Sequence, residues 1–434
     1  MLPDGHVRGS QEQWRAVRGF LNSRRHELSL AAQHLYPPSL LAAGTPMLAR
    51  PGWLPSRPVP LDQVALSWQA PSWQAPSWQA PSWQAPSWQA DSHSRAAVAD
   101  GTGPGLAGVL PLRADGSRFA SYADALGELS RPGIFEDRSC YRLLDARALP
   151  GSARLAFGPG RYFDLVNTCE AVAHEYAAAA LARGSSSGHS SSGHSSSGHS
   201  SSGHSTTGSR PALDELPLRS LIGDPTDLRR RPVMVATCTL VLRADRDAGE
   251  AAMLLHWRDP ARVASGGGLY QVAPVGVFQP SHDASWNRAN DFDLWRSITR
   301  ELAEELLGGG EDYQSDVAPI DYERWPLYAE LARARTEGTL QVYWLGLGVD
   351  PLTLAADMLT VAVFDAALFD AVFSGLVSTN DEGHLVTGLR AATGAVGVAF
   401  CEEDIERFAV EEPMQAAGAA LLRTAWTHRA MLLG

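Results

Sequence analysis

Arg300-Glu301-Leu302-Ala303-Glu304-Glu305-Leu306-Leu307-Gly308 is the stretch on which the reading of the fold turns. At helical spacing Glu301, Glu304 and Glu305 stand at i, i+3 and i+4, so three carboxylates share one face of a short helix. Like charges crowded in this way repel one another unless water or a cation neutralises them. A divalent cation that prefers oxygen ligands does this well. Ile298, Leu302 and Leu306 line the opposite face and would bury the helix while its acidic side points into a cleft. The competing reading is a solvated, acid-rich surface helix.

Upstream, Leu269–Pro280 is strand-like and broken by Pro274 and Gly276. Strand, glycine loop and acidic helix in that order resemble the Nudix hydrolase signature. Its pattern is Gly, five residues, Glu, seven residues, then Arg-Glu-aliphatic-any-Glu-Glu-any-Gly-aliphatic. Arg300, Glu301, Leu302, Glu304 and Glu305 match the helical half, and Gly276 is the best match to the opening glycine. The resemblance implies that Glu301, Glu304 and Glu305 hold Mg2+ or Mn2+ against a substrate pyrophosphate. It implies that Arg300 braces the carboxylates and that one glutamate takes a proton from the attacking water.

The chain departs from the pattern in three places. Gly276 and Arg300 are 24 residues apart where the pattern allows 14, so about ten residues are inserted. The first Glu position falls on His282, with Asp283, Asp291 and Asp293 nearby, and Gly308 comes one residue late. The inserted Ser281–Asp293 is polar and reads as a loop at the rim of the site. In the family a fourth carboxylate often comes from the loop between two late strands. Asp350 and Asp357 fall there; Asp357 is carried as a further metal candidate, against the plainer role of turn or cap residue.

The surroundings point to an α/β (α+β) class. Pro232–Arg243, Ala251–Trp257, Leu340–Val349 and Met358–Phe364 read as strands, Ala366–Phe373 and Met414–Leu433 as helices. Pro413 suits a first helical turn, with Glu411 and Glu412 complementing its dipole. Met414, Ala417, Leu421, Ala425, His428 and Leu432 form the inner stripe. The resemblance implies a Nudix-like αβα sandwich with a mixed sheet over 211–434. Before it come accessory regions 1–66 and 92–183, separated by low-complexity tracts 67–91 and 184–210. The layout resembles Nudix-like proteins of high-GC bacteria, some of which are linked to helix-turn-helix regions; none is clear here.

In the first half, Gln11–Leu35 and Phe163–Arg183 read as helices, as does Tyr122–Leu129. Ala107–Leu112, Cys140–Leu144 and Val64–Leu66 read as short strands. Glu170, His174 and Glu175 make a metal-like spacing without a partner motif, and a solvated face explains them better. His256, His282 and His384 are scattered singly. Arg229–Arg231 reads as a solvated turn.

Ser67–Ala90 repeats Ser-Trp-Gln-Ala five times with Pro71, Pro76, Pro81 and Pro86 between copies, which favours an extended, polyproline-like segment. Gly184–Ser209 repeats Ser-Ser-Ser-Gly-His, with His189, His194, His199 and His204 five apart; a flexible linker explains it better than a metal collector.

With 434 residues, 44% hydrophobic and 19% charged, the chain is long enough for two or three globular domains. A net charge of −12 argues against nonspecific binding to nucleic acid or anionic membranes. Cys140, Cys169, Cys238 and Cys401 are far apart, which fits reduced thiols and a cytoplasmic protein. No apolar stretch is long enough for a membrane span. Two functions follow: a metal-dependent hydrolase of a nucleoside diphosphate linked to another group, or a sensor that binds such a nucleotide or sugar-nucleotide without cleaving it. A structural protein working through its Trp repeats is a third.

Overall fold

The apolar, β-branched run Val235–Asp245 forms the strand around which the main sheet is built. The computed structural model describes residues 4–69, 106–133, 135–187, 210–259, 267–310, 312–377, 383–386 and 397–434. Its strands are β1 (Val59–Pro60), β2 (Val64–Trp68), β3 (Ser139–Leu149), β4 (Ser152–Arg161), β5 (Val235–Asp245), β6 (Glu250–Met253) and β7 (Leu255–Arg258). They continue with β8 (Tyr270–Val272), β9 (Val275–Val277), β10 (Leu340–Val349), β11 (Ala356–Asp365), β12 (Gly383–Leu385) and β13 (Val398–Ala399). The helices used below are α1 (Asp4–Ser23), α2 (Arg25–Ala32), α3 (Tyr122–Leu129), α4 (Ala171–Ser187), α5 (Leu294–Glu301), α6 (Pro326–Glu337), α7 (Ala366–Val372) and α8 (Ala416–Thr427).

The protein is a mixed α/β structure. Its main sheet runs β1-β10-β11-β5-β6-β13, with β9 also paired to β5. Strands β11 and β5 are parallel, from Ala356↔Val235 to Asp365↔Ala244, whereas β10 lies antiparallel to β11. The other edge of β5 is shared: β9 takes Ala236–Cys238 and β6 takes Leu242–Asp245. Two further sheets run β12-β7-β8 and β2-β4-β3. In the second, Pro150 and Gly151 (φ 73°) make the tight turn between β3 and β4, a place where glycine's positive φ is needed.

A single buried cluster extends from Trp14 to Leu432, so both halves of the chain contribute to one core. The halves also share backbone pairing. Val59 and Pro60 of β1 pair with Trp344 and Tyr343, and Leu143 N donates to Val233 O at 2.7 Å. The N-terminal helices α1 and α2 pack on α4 around a smaller cluster holding Val17, Leu21, Leu28 and Tyr176.

Several expectations need correction. Leu269–Pro280 is two strands, β8 and β9, because Pro274 cannot donate to a ladder. Ala107–Leu112 is not a strand; a 3-10 turn covers Leu106–Gly108, and only Leu112 bridges, to Arg118. Helix α8 begins at Ala416 with Gln415 as its N-cap, so Pro413 precedes the helix. Met414, Ala417, Leu421, Ala425 and Leu432 are buried, while half-exposed His428 marks the break before Arg429–Leu433.

Ser67 and Trp68, the start of the first Ser-Trp-Gln-Ala copy, belong to β2, and Gln69 N donates to Phe157 O at 2.7 Å. The rest of that tract lies outside the described residues, as does the Ser/Gly/His tract beyond Ser187. Among the described residues no helix is long and apolar enough to cross a membrane. All four cysteines are free.

Candidate metal centre

Helix α5 is capped by Asp293, whose side chain accepts from Arg296 N. It continues into a π turn over Leu302–Leu306. Ile298, Leu302 and Leu306 are fully buried, which leaves Glu301, Glu304 and Glu305 half-exposed on the other side. A π turn holds one more residue than an α turn. That extra residue carries the helix end to Gly308 (φ 67°), after which Gly309 N reaches back to Ala303 O at 2.9 Å.

The glutamates reach two places. A Cβ on Gly276 would lie 1.9 Å from the Glu301 carboxyl carbon, so this carboxylate fills the space that only a glycine on β9 leaves. Glu305 Oε1 accepts from Val275 N at 2.7 Å, one residue earlier on the same strand. Glu304 Oε1 instead accepts from the Tyr313 hydroxyl at 2.7 Å. Glu301, Glu305 and Gly276 therefore come together across 24 residues of intervening chain, with Glu304 turned toward Tyr313. Among the described residues no three His, Cys, Asp or Glu side chains form a ready metal-holding group.

Arg300 is buried beneath the acidic face. It pairs with Asp291 at 3.1 Å, where the two side chains are 4% and 0% exposed. It also donates to Gln279 O at 2.6 Å and to the Tyr322 hydroxyl at 3.2 Å, while Tyr322 donates to Asp291 at 2.9 Å. Burial works against the guanidinium's charge, but Tyr322, Asp291, Glu301 and Glu304 outweigh it and hold its pKa up. Arg300 thus fixes the helix through buried polar partners, and its charge is felt by the glutamates.

The inserted segment is mostly exposed and irregular, with one short helix at Asn287–Asn290, but it is anchored in the core. Asn287 and Asp291 are fully buried. Asp291 accepts from Ser281 N and Oγ at 2.7 Å each, and Phe292 packs on Trp68, Tyr141 and Phe157. In the sequence Asp291 stands out only as one of three acids near the first Glu position, and Tyr313 and Tyr322 do not stand out as partners of this site. Local spacing carries no trace of Asp291's role, and the only signal for the tyrosines is two aromatics in a polar stretch after Gly308.

Asp357 is a strand residue, not a loop residue: it is the second residue of β11, level with Ala236 on β5. Ala236 in turn faces Val277 of β9, next to Gly276. Burial, and then the charge of Asp350, push its carboxyl up to about 7. The Cys238 thiol is pushed up by burial and further by Asp357 and Glu305, so both carboxylates act on the same part of β5. Asp350 is a turn residue, accepting from Leu352 N and Thr353 N.

Two other readings need correction. Glu170, His174 and Glu175 are not a solvated face; each is at most 8% exposed. Glu170 is gripped by Arg18 and Arg25, which hold its carboxyl far below the usual range against the opposing effect of burial. His174 stacks on Trp14 and meets the Tyr122 hydroxyl at 3.1 Å. Glu175 accepts from Leu218 N and Arg219 N. The Arg229–Arg231 reading fails only in part: the Arg229 side chain is 86% exposed in its turn, whereas Arg231 is fully buried and donates to Pro225 O and Leu354 O. Of the single histidines, His256 is buried in β7, His384 is exposed on β12 level with Trp257, and His282 accepts from Ala284 N in a turn.

No protein-family model matches the chain, and no curated protein matches it.

Proposed function

We propose that the chain is a Nudix-like, divalent-metal-dependent hydrolase of a nucleoside diphosphate linked to another group. The observation that carries this reading is the meeting of Gly276 with Glu301, beside Glu305 on Val275. A glycine opening and an acidic helix were expected to cooperate from their resemblance to the family signature, and here they share one place. Gly308's one-residue delay also has a local cause in the π turn.

The residues fit a hard divalent cation such as Mg2+ or Mn2+. Glu301 and Glu305 offer carboxylates at neighbouring points of β9. Mg2+ commonly takes one or two protein carboxylates and completes its shell with water and substrate phosphate, so a closed protein cage is not required. When bound, such an ion neutralises the diphosphate and lowers the pKa of the attacking water.

The chain's own residues do the rest. Glu301 and Glu305 would hold the ion and through it the diphosphate, and Asp357 is a further candidate from β11. Glu304, oriented by Tyr313, is the group to take the proton from water. Arg300 is a positioning residue that keeps the acidic face in register through Asp291, Tyr322 and Gln279.

A sensor that binds without cleaving is the second reading. It is favoured by His282, engaged in its own turn where the family pattern has a first glutamate.

The deciding experiment measures phosphate or nucleotide release from a panel of nucleoside diphosphate derivatives with Mg2+ or Mn2+, beside Glu304→Gln. Turnover that the variant loses supports the hydrolase. No turnover, with metal- and ligand-dependent thermal stabilisation of the wild type, favours the sensor. Silence in both would remove the metal reading.

A further inference from the structure

Directly beyond Tyr313 lies a cleft of about 360 Å³, lined by Tyr313, Val317, Pro319, Ile320, Asp321 and Trp325 among others. Its size suits one small planar ligand. Tyr313 has two surfaces in use: its hydroxyl holds Glu304, and its ring lines this cleft at 5.6 Å and 67° to the Trp325 ring. The lining leaves apolar surface in water, Val317 being 76% exposed, and Trp286 stands 43% exposed beside the same segment.

The cleft is also preformed. Ser315 O accepts from Trp286 Nε1 at 3.0 Å and from Asn287 Nδ2 at 2.8 Å, while Ile320 O accepts from Asn290 Nδ2 at 3.0 Å. All three donors come from the segment inserted before α5. That segment therefore shapes the wall of the cleft, and a ligand would not have to order it.

Charge selects the occupant. Asp312, Asp316, Asp321 and Glu323 are all exposed along this segment. Its near cation, Arg324, is 89% exposed and already paired with Asp321 at 3.5 Å. Such a rim repels phosphate and accepts hydrogen bonds from amino groups. The Tyr313 and Trp325 rings brace each other edge-on, so a planar ring would stack on the face of one of them.

We propose that this cleft binds the base of the substrate, an amino-bearing nucleobase of the adenine type, with its diphosphate end directed past Tyr313 toward Glu304. The assignment of the diphosphate rests on the hydrolase reading; the base site itself does not.

The test is a ligand-observed NMR titration of the full chain with adenosine and with inosine, without divalent cation. Neither probe carries phosphate, so the result is independent of the glutamates as metal ligands, and the hydrolase reading stands or falls separately on turnover. Adenosine is expected to bind more tightly than inosine, and Trp325→Ala to weaken adenosine binding at least tenfold, on the order of one lost base stack. Trp325 is half-buried, so the exposed Asp321→Ala provides a second variant that leaves the core alone; it should erase the preference for adenosine. No saturable adenosine binding, or binding and preference that both variants preserve, would overturn the proposal. If Trp325→Ala fails to fold, the preference in Asp321→Ala decides.

Discussion

The Glu301 carboxylate occupies the space that a Cβ on Gly276 would need, 1.9 Å from where that atom would stand. The two residues belong to different elements, α5 and β9, and the missing side chain at Gly276 lets the Glu301 carboxylate reach the strand. The clashing atoms are the far end of a flexible side chain, so the glutamate can swing away at little cost. Gly276→Ala should therefore leave the unfolding free energy within about 1 kcal/mol of wild type. It should abolish stabilisation by Mg2+ in a thermal-shift titration. A large drop in stability with metal stabilisation intact would contradict this.

Arg300 and Asp291 are paired with almost no water around them. Removing one partner of a buried pair strands the other charge and costs about 3–5 kcal/mol. Asp291→Asn should show a loss of that order in urea unfolding, and Tyr322→Phe a smaller one of about 1.5–3 kcal/mol. Because all three side chains touch, the double variant should fall short of the sum. Additive losses would mean the network is not one unit.

His174 provides a pH test away from the glutamates. Burial holds its imidazole down, to about 3, with Arg18 acting in the same direction and Glu170 against. In the unfolded chain it titrates near 6.5. Between these values the unfolded state binds the extra proton, so stability is present above about 6.5 and drains away as pH falls toward 3. In His174→Gln the decline between about pH 6.5 and 5 should be shallower than in the wild type, the raised carboxyl of Asp357 contributing alike to both proteins. Parallel stability profiles for the two proteins would count against it.

Gly308 sits at φ 67° with a Val377 methyl 3.1 Å from where its Cβ would be. Gly308→Ala meets both the left-handed penalty and that methyl, and should cost about 1–2 kcal/mol. Hydrogen exchange should speed up first at Gly309, whose amide closes the widened turn. Unchanged exchange there would show that the π turn does not depend on this residue.

Elements with a strong local pattern were legible. β10 spans Leu340–Val349 and α3 spans Tyr122–Leu129, as their residues suggested. Other elements hid behind weak local signals. β4 carries Gly158-Pro159-Gly160 and is a strand because β2 and β3 flank it. α6 carries a plainer signature, Pro326 at its first turn and Gly338 in the left-handed cap. At the site, the acidic face of α5 could be read from spacing, but which way each carboxylate turns could not. That depends on Val275, Gly276 and Tyr313, which only the fold brings near. The Glu170 and Arg231 misreadings share one cause: a charged residue tells nothing of its burial until its partners arrive from distant sequence.

Strand β1 ends the main sheet with Val59 and Pro60 against Trp344 and Tyr343. Proline has no amide hydrogen to offer an incoming strand, so the sheet's outer rim is blunted there. A truncation that kept only residues 211–434 would strip this cover from the edge of β10. Such a fragment should leave the edge of β10 open to strands from other copies and come out of solution as assemblies.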